Sequence, residues 1–162
     1  MNQSDTPSTN YGDLLRRQAE LQRLGNMPTP TRTALRIAYM TEIGELAQEL
    51  KPLWAWWKKA PGEHPVDTNR VLSELSDVLH FWLLEALRED WRVEGDLRPG
   101  RRNGQWRMDE LLTQLYAPPA WWTPRLLCEI AARFHYTPDD LARAYWQKTE
   151  INLARWREAA RE

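Results

Sequence analysis

Four acidic residues occur as two pairs with the same spacing. Glu42 and Glu45 form the first pair, and Glu74 and Asp77 form the second. Residues three positions apart lie on one face of an α-helix, so each pair presents two carboxylates together. Carboxylate oxygens are ligands that Mg²⁺ prefers, and four of them suffice to hold two Mg²⁺ ions beside the phosphates of a substrate. The spacing therefore predicts a metal site shared by two facing helices.

A single pair of this kind most often marks a solvated helix face, so the neighbouring residues decide between the two explanations. At about 100° per residue, Glu42 falls in the same arc as Leu35 and Leu46, which is the apolar face of its helix. Glu74 and Asp77 adjoin a second apolar stripe. Like charges on a buried face are costly unless a cation neutralises them. This placement favours the metal site.

The pattern of apolar residues predicts the helices that would carry these acids. Apolar residues recur at helical spacing in six segments, which are residues 13–24, 33–50, 67–90, 107–117, 124–134 and 137–158. Glycine, proline and charged residues at 92–105 predict a loop, and no segment alternates as a strand does. We therefore expect an all-α fold, a bundle of five to six helices that forms a single domain over residues 11–162. Residues 1–10 are polar and aperiodic, which predicts a disordered lead-in.

Composition and charge argue against several other classes of protein. The 162 residues are 42% hydrophobic and 28% charged, as in a soluble globular domain, and the net charge of −1 gives no drive toward nucleic acid or an anionic membrane. We find neither the apolar length of a membrane span nor the pattern of a signal peptide. The one cysteine, Cys128, rules out an internal disulfide. We expect a cytoplasmic protein that has neither a nucleic acid nor a membrane as a partner.

Three stretches of the sequence together resemble a known enzyme family. They are Glu42-x-x-Glu45, the tryptophan- and lysine-rich segment 54–62, and the run Glu74-Leu75-Ser76-Asp77-Val78-Leu79-His80-Phe81. In these stretches the chain resembles the dimeric dUTPases, which belong to the MazG-type all-α nucleoside triphosphate pyrophosphatases. Residues 145–155 follow the family's late pattern Tyr-x-x-Lys-Asn-x-x-Asn-x-x-Arg, with Thr149 in place of its first asparagine, and the family's next Gly-Tyr is absent. Gln18-x-x-Leu21 is a weaker likeness.

The resemblance implies an activity and a set of site residues. It implies a Mg²⁺-dependent homodimer, with Mn²⁺ as a substitute metal, that converts dUTP to dUMP and pyrophosphate. The ligands of the metal would be Glu42, Glu45, Glu74 and Asp77, and Glu42 would also accept the proton of the attacking water. The implied contacts to the substrate come from several parts of the chain: Gln18, Trp57, Lys58, His80, Lys148, Asn152 and Arg155.

Several of these side chains also have an ordinary structural explanation. Lys148, Asn152 and Arg155 share one helical stripe, which by spacing alone could be a solvated face. Lys58 could neutralise phosphate or keep its segment soluble. His80 could serve either the packing of its helix or a base pocket.

The ten tryptophans are an unusual number for this length. Trp57 lies where the family has an aromatic residue near the nucleobase, and a flat ring favours stacking on a base. For Trp54 and Trp56 we expect the ordinary position of a tryptophan, which is the core. Part of the surplus could cover the interface of a homodimer.

Two other functions fit parts of the sequence. Within the same class, the enzyme could act more broadly on dCTP and dUTP, or on modified nucleotides as a housecleaning pyrophosphatase. In a different class, the chain could be a non-catalytic helical module that senses a nucleotide or binds a partner. The four acids near an apolar face argue against the second function, because a partner-binding module has no need of them.

Overall fold

Helices make up the regular structure of the protein. The computed structural model describes residues 7–57, 65–100 and 105–159. In those ranges the helices are α1 (Tyr11–Leu24), α2 (Arg32–Glu49), α3 (Lys51–Trp54), α4 (Thr68–Arg88), α5 (Met108–Tyr116), α6 (Thr123–Arg133) and α7 (Pro138–Ala159). The described residues contain no strand, and an isolated β-bridge joins Asn10 to Asp96. The predicted all-α fold is confirmed, and the four-residue α3 is an addition to the six predicted helices.

The centre of the bundle is α4, which contacts α1, α2, α6 and α7. Its fully buried side chains include Val71, Leu75, Val78, Leu79 and Trp82, which together cover more than one face of the helix. A helix that is apolar on several faces is stable only when other helices surround it. Each such side chain stabilises the fold by about 1.5–3 kcal/mol relative to leaving it in water. The second acidic pair, Glu74 and Asp77, therefore lies on the helix that four other helices surround.

Polar caps fix where the helices begin. The Asn10 side chain accepts hydrogen bonds from the backbone N–H groups of Gly12 and Asp13 at the start of α1, and Asp67 caps α4 in the same way. The backbone N–H of Leu97 donates to the carbonyl of Thr9 at 2.9 Å. Residues 9 and 10, which we predicted to be part of a disordered lead-in, are thus hydrogen-bonded; residues 1–6 lie outside the described part of the chain.

The end of α1 comes very close to the last turns of α7. A Cβ atom added to Gly25 would overlap the indole ring of Trp156. The absence of a side chain at Gly25 is therefore what allows α7 to lie against α1 at this point. This contact fixes the helix that carries the C-terminal candidate residues.

One prediction about the tryptophans is wrong. The Trp54 indole is half-buried and donates to the carbonyl of Ala47 at 2.8 Å, as expected of a packed residue. Trp56, which we predicted to be in the core, is 82% exposed. The reason is that the chain turns after the buried Ala55, so that Trp56 lies on the outside of the turn.

Among the described residues, no helix is long and apolar enough to cross a membrane.

Candidate active site

Three of the four predicted acids meet between α2 and α4. One carboxylate oxygen of each of Glu42, Glu45 and Glu74 lies within 4.8 Å of the other two. Glu42 and Glu74 are half-buried and Glu45 is exposed, so the group opens to solvent at one side. The predicted spacing of the two pairs does bring acids from two helices together.

The electrostatics of this face are unfavourable for three carboxylates. Burial and the neighbouring acids, Asp77 first among them, raise the pKa of Glu42 to about 7. Burial and the charge of Asp77 likewise raise the pKa of Glu74. The Glu74 Oε2 atom is buried and has no hydrogen-bond partner among the described residues. A buried carboxylate oxygen without a donor is costly, and the free energy falls when a proton or a cation meets it. These residues therefore fit a divalent cation with oxygen ligands.

Asp77 lies next to the other acids, outside the group of three, and pairs with a lysine. Its Oδ2 atom lies 2.8 Å from the Lys148 ammonium, which also donates to Ser73 Oγ at 3.2 Å. Burial raises the pKa of Asp77, and the Lys148 charge and hydrogen bond oppose that rise. The quartet expected from the sequence is thus a group of three acids beside an Asp77–Lys148 ion pair. Lys148, for which we predicted a phosphate contact, here contacts α4.

One helical turn beyond the acids lies a layer of buried polar side chains. His80 is buried, and burial followed by the charge of Lys148 lowers its pKa to about 4, so the imidazole is neutral at pH 7. Its ring is 6.4 Å from that of Tyr145. The Tyr145 hydroxyl donates to Gln18 Oε1 at 2.8 Å, while the buried Gln18 Nε2 has no partner within residues 7–57, 65–100 and 105–159. In this arrangement the Gln18 amide nitrogen is the end that the tyrosine does not contact.

The remaining predicted residues of α7 are divided between two surroundings. Asn152 is half-buried and Arg155 is exposed; the charge of Arg155, like that of Lys148, opposes the rise that burial causes in the pKa of Asp77. Thr149 is fully buried; its hydroxyl donates to the Trp146 carbonyl at 2.6 Å and accepts from Arg17 Nε at 3.1 Å. The threonine that replaces the asparagine of the family pattern therefore joins α7 to α1.

The aromatic segment lies in the turn after α3. Trp57 is 52% exposed and makes edge-to-face contacts with Trp54 and Trp56, with ring centroids 5.5 Å and 5.9 Å apart. An exposed ring held by two others is available to stack on a flat ligand. Lys58 lies outside the described residues.

Sequence reasoning missed two residues that contact the predicted ones. Ser73 accepts a hydrogen bond from Lys148. Its position four residues before Asp77, on the same helix face, could have indicated that it lies near the site. Tyr145 binds Gln18; it belongs to the motif in the last helix, yet nothing in its spacing indicated a buried glutamine as partner.

The comparison with known families agrees with this geometry. Residues 11–95 match the family model described as dUTPase. The matched span contains α1, α2 and α4 and with them all four acids, and it ends before α5. Neither a curated protein nor a solved structure matches the chain.

Proposed function

The chain belongs to the dUTPase family, of the all-α MazG-like type, and we propose that it is a Mg²⁺-dependent dUTP diphosphatase, which converts dUTP to dUMP and pyrophosphate. The observation that carries the proposal is the approach of Glu42, Glu45 and Glu74 to within 4.8 Å, inside the matched part of the chain. Nucleotide hydrolysis is the activity of the family; dUTP as the substrate and Mg²⁺ as the metal belong to the proposal.

The acids supply the metal site of this proposal. Glu42, Glu45 and Glu74 would hold a divalent cation, Mg²⁺ or its substitute Mn²⁺, and Asp77 would add a fourth carboxylate. The cation, when bound, lowers the pKa of a coordinated water and neutralises charge on phosphate oxygens. The orphaned Glu74 Oε2 and the raised pKa of Glu42 support such a role, because both are relieved by positive charge.

Glu42 is the residue that we assign to proton transfer. The family resemblance gives it this role, and its half-buried carboxylate lies beside those of Glu45 and Glu74, where the attacking water would be held. The oxygen of water attacks the α-phosphorus, the bond from that phosphorus to the bridging oxygen breaks, and Glu42 takes the proton of the water. Pyrophosphate leaves with the bridging oxygen, and dUMP remains.

The basic and amide side chains of α7 would hold the rest of the nucleotide. Lys148 and Arg155 suit phosphate, since a point charge and a planar fork of donors are the two usual binders of phosphate oxygens. Asn152, between them on the same stripe, would contact the nucleoside. Lys58 would add charge near the phosphates, and the exposed ring of Trp57 would stack on the base.

Recognition of the base would rest on the buried polar layer. The free Gln18 Nε2 is a donor, and a donor suits a carbonyl oxygen of uracil. Tyr145 supports this orientation by occupying Gln18 Oε1. The neutral His80 beside Tyr145 would complete the pocket wall without adding charge.

We further propose a homodimer in the cytoplasm that needs neither nucleic acid nor a membrane. Large apolar side chains are exposed on α2, at the end of α5 and in the segments after α3 and α5, and a second copy would remove them from water. They include Ile37, Met40, Trp56, Tyr116 and Trp121.

The test is the release of pyrophosphate from dUTP, compared with dCTP, dTTP and UTP, with Mg²⁺ and with a chelator. We expect Mg²⁺-dependent release that is fastest with dUTP. Equal release from dUTP and dCTP would favour the broader pyrophosphatase. Binding of dUTP without any release would favour the non-catalytic module.

A further inference from the structure

The Lys148 ammonium lies between two acceptors of α4. It is 2.8 Å from Asp77 Oδ2 and donates to Ser73 Oγ at 3.2 Å. Ser73 and Asp77 are four residues apart, so both acceptors lie on one face of the helix. The pair is partly shielded from water, with 26% of the Lys148 side chain and 18% of the Asp77 side chain exposed. Such shielding strengthens the attraction relative to a fully exposed ion pair.

Asp77 holds the Lys148 ammonium, while the acids next to it converge on one another. Glu74 is one turn away on the same helix and joins Glu42 and Glu45, whereas Asp77 is absent from the group of acids that converge among the described residues. An ammonium on Asp77 repels a divalent cation that approaches the same carboxylate. Lys148 thus competes with a metal ion for the fourth carboxylate.

We propose that Lys148 is a positioning residue that withholds Asp77 from the metal site until the phosphates of a nucleotide take up its ammonium. The inference rests on the proposed function. Without nucleotide, Glu42, Glu45 and Glu74 bind a divalent cation while Asp77 stays paired. A triphosphate carries more negative charge than a carboxylate, so it draws the ammonium away. Asp77 is then free to bind a second cation, and metal binding at Asp77 is coupled to substrate binding.

The test counts bound Mn²⁺ by electron paramagnetic resonance, on the full chain and without nucleotide. Wild type should bind about one Mn²⁺ tightly, and Lys148→Met should bind about two, because it frees Asp77 and keeps the length of the side chain. The double variant Lys148→Met with Asp77→Asn should return to about one. Arg157→Met is the matched control, since it removes a positive charge from an exposed position of the same helix; its count should equal that of wild type.

A second arm uses wild type with a non-hydrolysable dUTP analogue, which should raise the count from about one to about two. Ser73→Ala keeps the lysine and removes one of its acceptors, so it should loosen the pair and strengthen the second site at least severalfold. This variant carries the test if Lys148→Met does not fold.

Three results would overturn the proposal. They are two tight sites in nucleotide-free wild type, an unchanged count in both Lys148→Met and Ser73→Ala, and a second site that survives Asp77→Asn. A through-space effect of charge would shift the affinity of the existing site and leave the count as it was. If wild type binds Mn²⁺ and releases pyrophosphate while the variants add no site, the role of Lys148 is wrong and the proposed function stands. If wild type neither binds Mn²⁺ nor releases pyrophosphate, the proposed function itself is wrong.

Discussion

The acidic face between α2 and α4 and the polar stripe of α7 differ in how well their groups are satisfied. On the acidic face, Glu74 Oε2 has no partner in the part of the chain that the structure describes, and the pKa of Glu42 is raised to about 7. On α7, Lys148 already has two acceptors and Thr149 already binds α1. The acidic face is therefore electrostatically incomplete, whereas the side chains of Lys148 and Thr149 on α7 have partners within the chain. An unsatisfied group in a folded protein is a stronger indication of a ligand than a paired one.

The largest expected effect comes from the acidic face. Glu74→Gln keeps size and helix propensity and removes one charge, so pyrophosphate release from dUTP should fall about a thousandfold or more. Glu158→Gln, on the exposed side of α7, is the control and should keep its activity. Circular dichroism checks that both variants remain helical. Wild-type turnover in Glu74→Gln would mean that the acidic face has no catalytic role.

His80 gives the next effect, on stability against pH. Its pKa of about 4 in the folded protein lies below the ordinary 6.5, so the unfolded chain binds its proton more readily. The stabilisation that the neutral imidazole provides is present above pH 6.5 and is lost as the pH falls toward 4. The full loss amounts to about 3 kcal/mol.

The measurement compares urea unfolding of wild type and His80→Gln between pH 4 and 7. Because the raised pKa values of Glu42 and Glu74 act in the opposite direction in both proteins, only the difference between the two curves reports His80. That difference should change by about 3 kcal/mol over the range. His135→Gln, at an exposed loop position, serves as the control. Parallel curves for wild type and His80→Gln would show that His80 is not held neutral by burial.

Metal binding should stabilise the acidic face by a slightly smaller amount. At a Mg²⁺ concentration of about one hundred times Kd, ligand linkage adds about 2.7 kcal/mol, which corresponds to a rise in Tm of about 5–10 °C. Glu74→Gln should make the metal-free protein more stable than wild type, because it removes a like charge, and should abolish most of the Mg²⁺ effect. Melting curves with Mg²⁺ and with chelator check both. Identical wild-type curves would contradict a preformed site.

The smallest effect is expected on α7, where it separates the two proposed kinds of contact. Arg155→Ala should weaken binding of a non-hydrolysable dUTP analogue by about tenfold and of dUMP by less, because fewer phosphate oxygens remain. Asn152→Ala should weaken both ligands equally, since its proposed contact is to the nucleoside. Calorimetry measures the affinities, with Arg157→Ala as the control. If Arg155→Ala weakened the binding of the dUTP analogue and of dUMP equally, Arg155 would have no phosphate role. The resemblance of α7 to the family pattern would then be structural only.

Much of the fold could be predicted because helix signals are local. The predicted 67–90 and the observed Thr68–Arg88 differ by two residues at most, since the cap Asp67 and the apolar stripe are both visible in the sequence. Glu42 and Glu74 could be predicted to meet because each lies in an apolar arc. The exposed Trp56 could not, because a tryptophan in a turn carries no periodic signal.

The pairing of Asp77 with Lys148 also escaped prediction, for a different reason. The pairing depends on how α7 crosses α4. Lys148 contacts α4 at Ser73 as well as at Asp77, and Ser73 is 75 positions away from it in the sequence. The crossing is decided by packing, including the close approach at Gly25, and not by any short pattern. The sequence could indicate which side chains have the chemistry, and only the packing indicates which of them already have partners.

The contact of Trp156 with Gly25 also bears on how the protein is made. The ribosome delivers α1, α2 and α4 well before α7, and nascent chains begin to fold from the N-terminal side. During that interval all four acids have been synthesised and Lys148 has not. Translation is followed by the docking of α7, whose last turns close against Gly25. A side chain at Gly25 would obstruct this closure. The complete chain would then lack the contact between α7 and α1, as the chain does before α7 is synthesised.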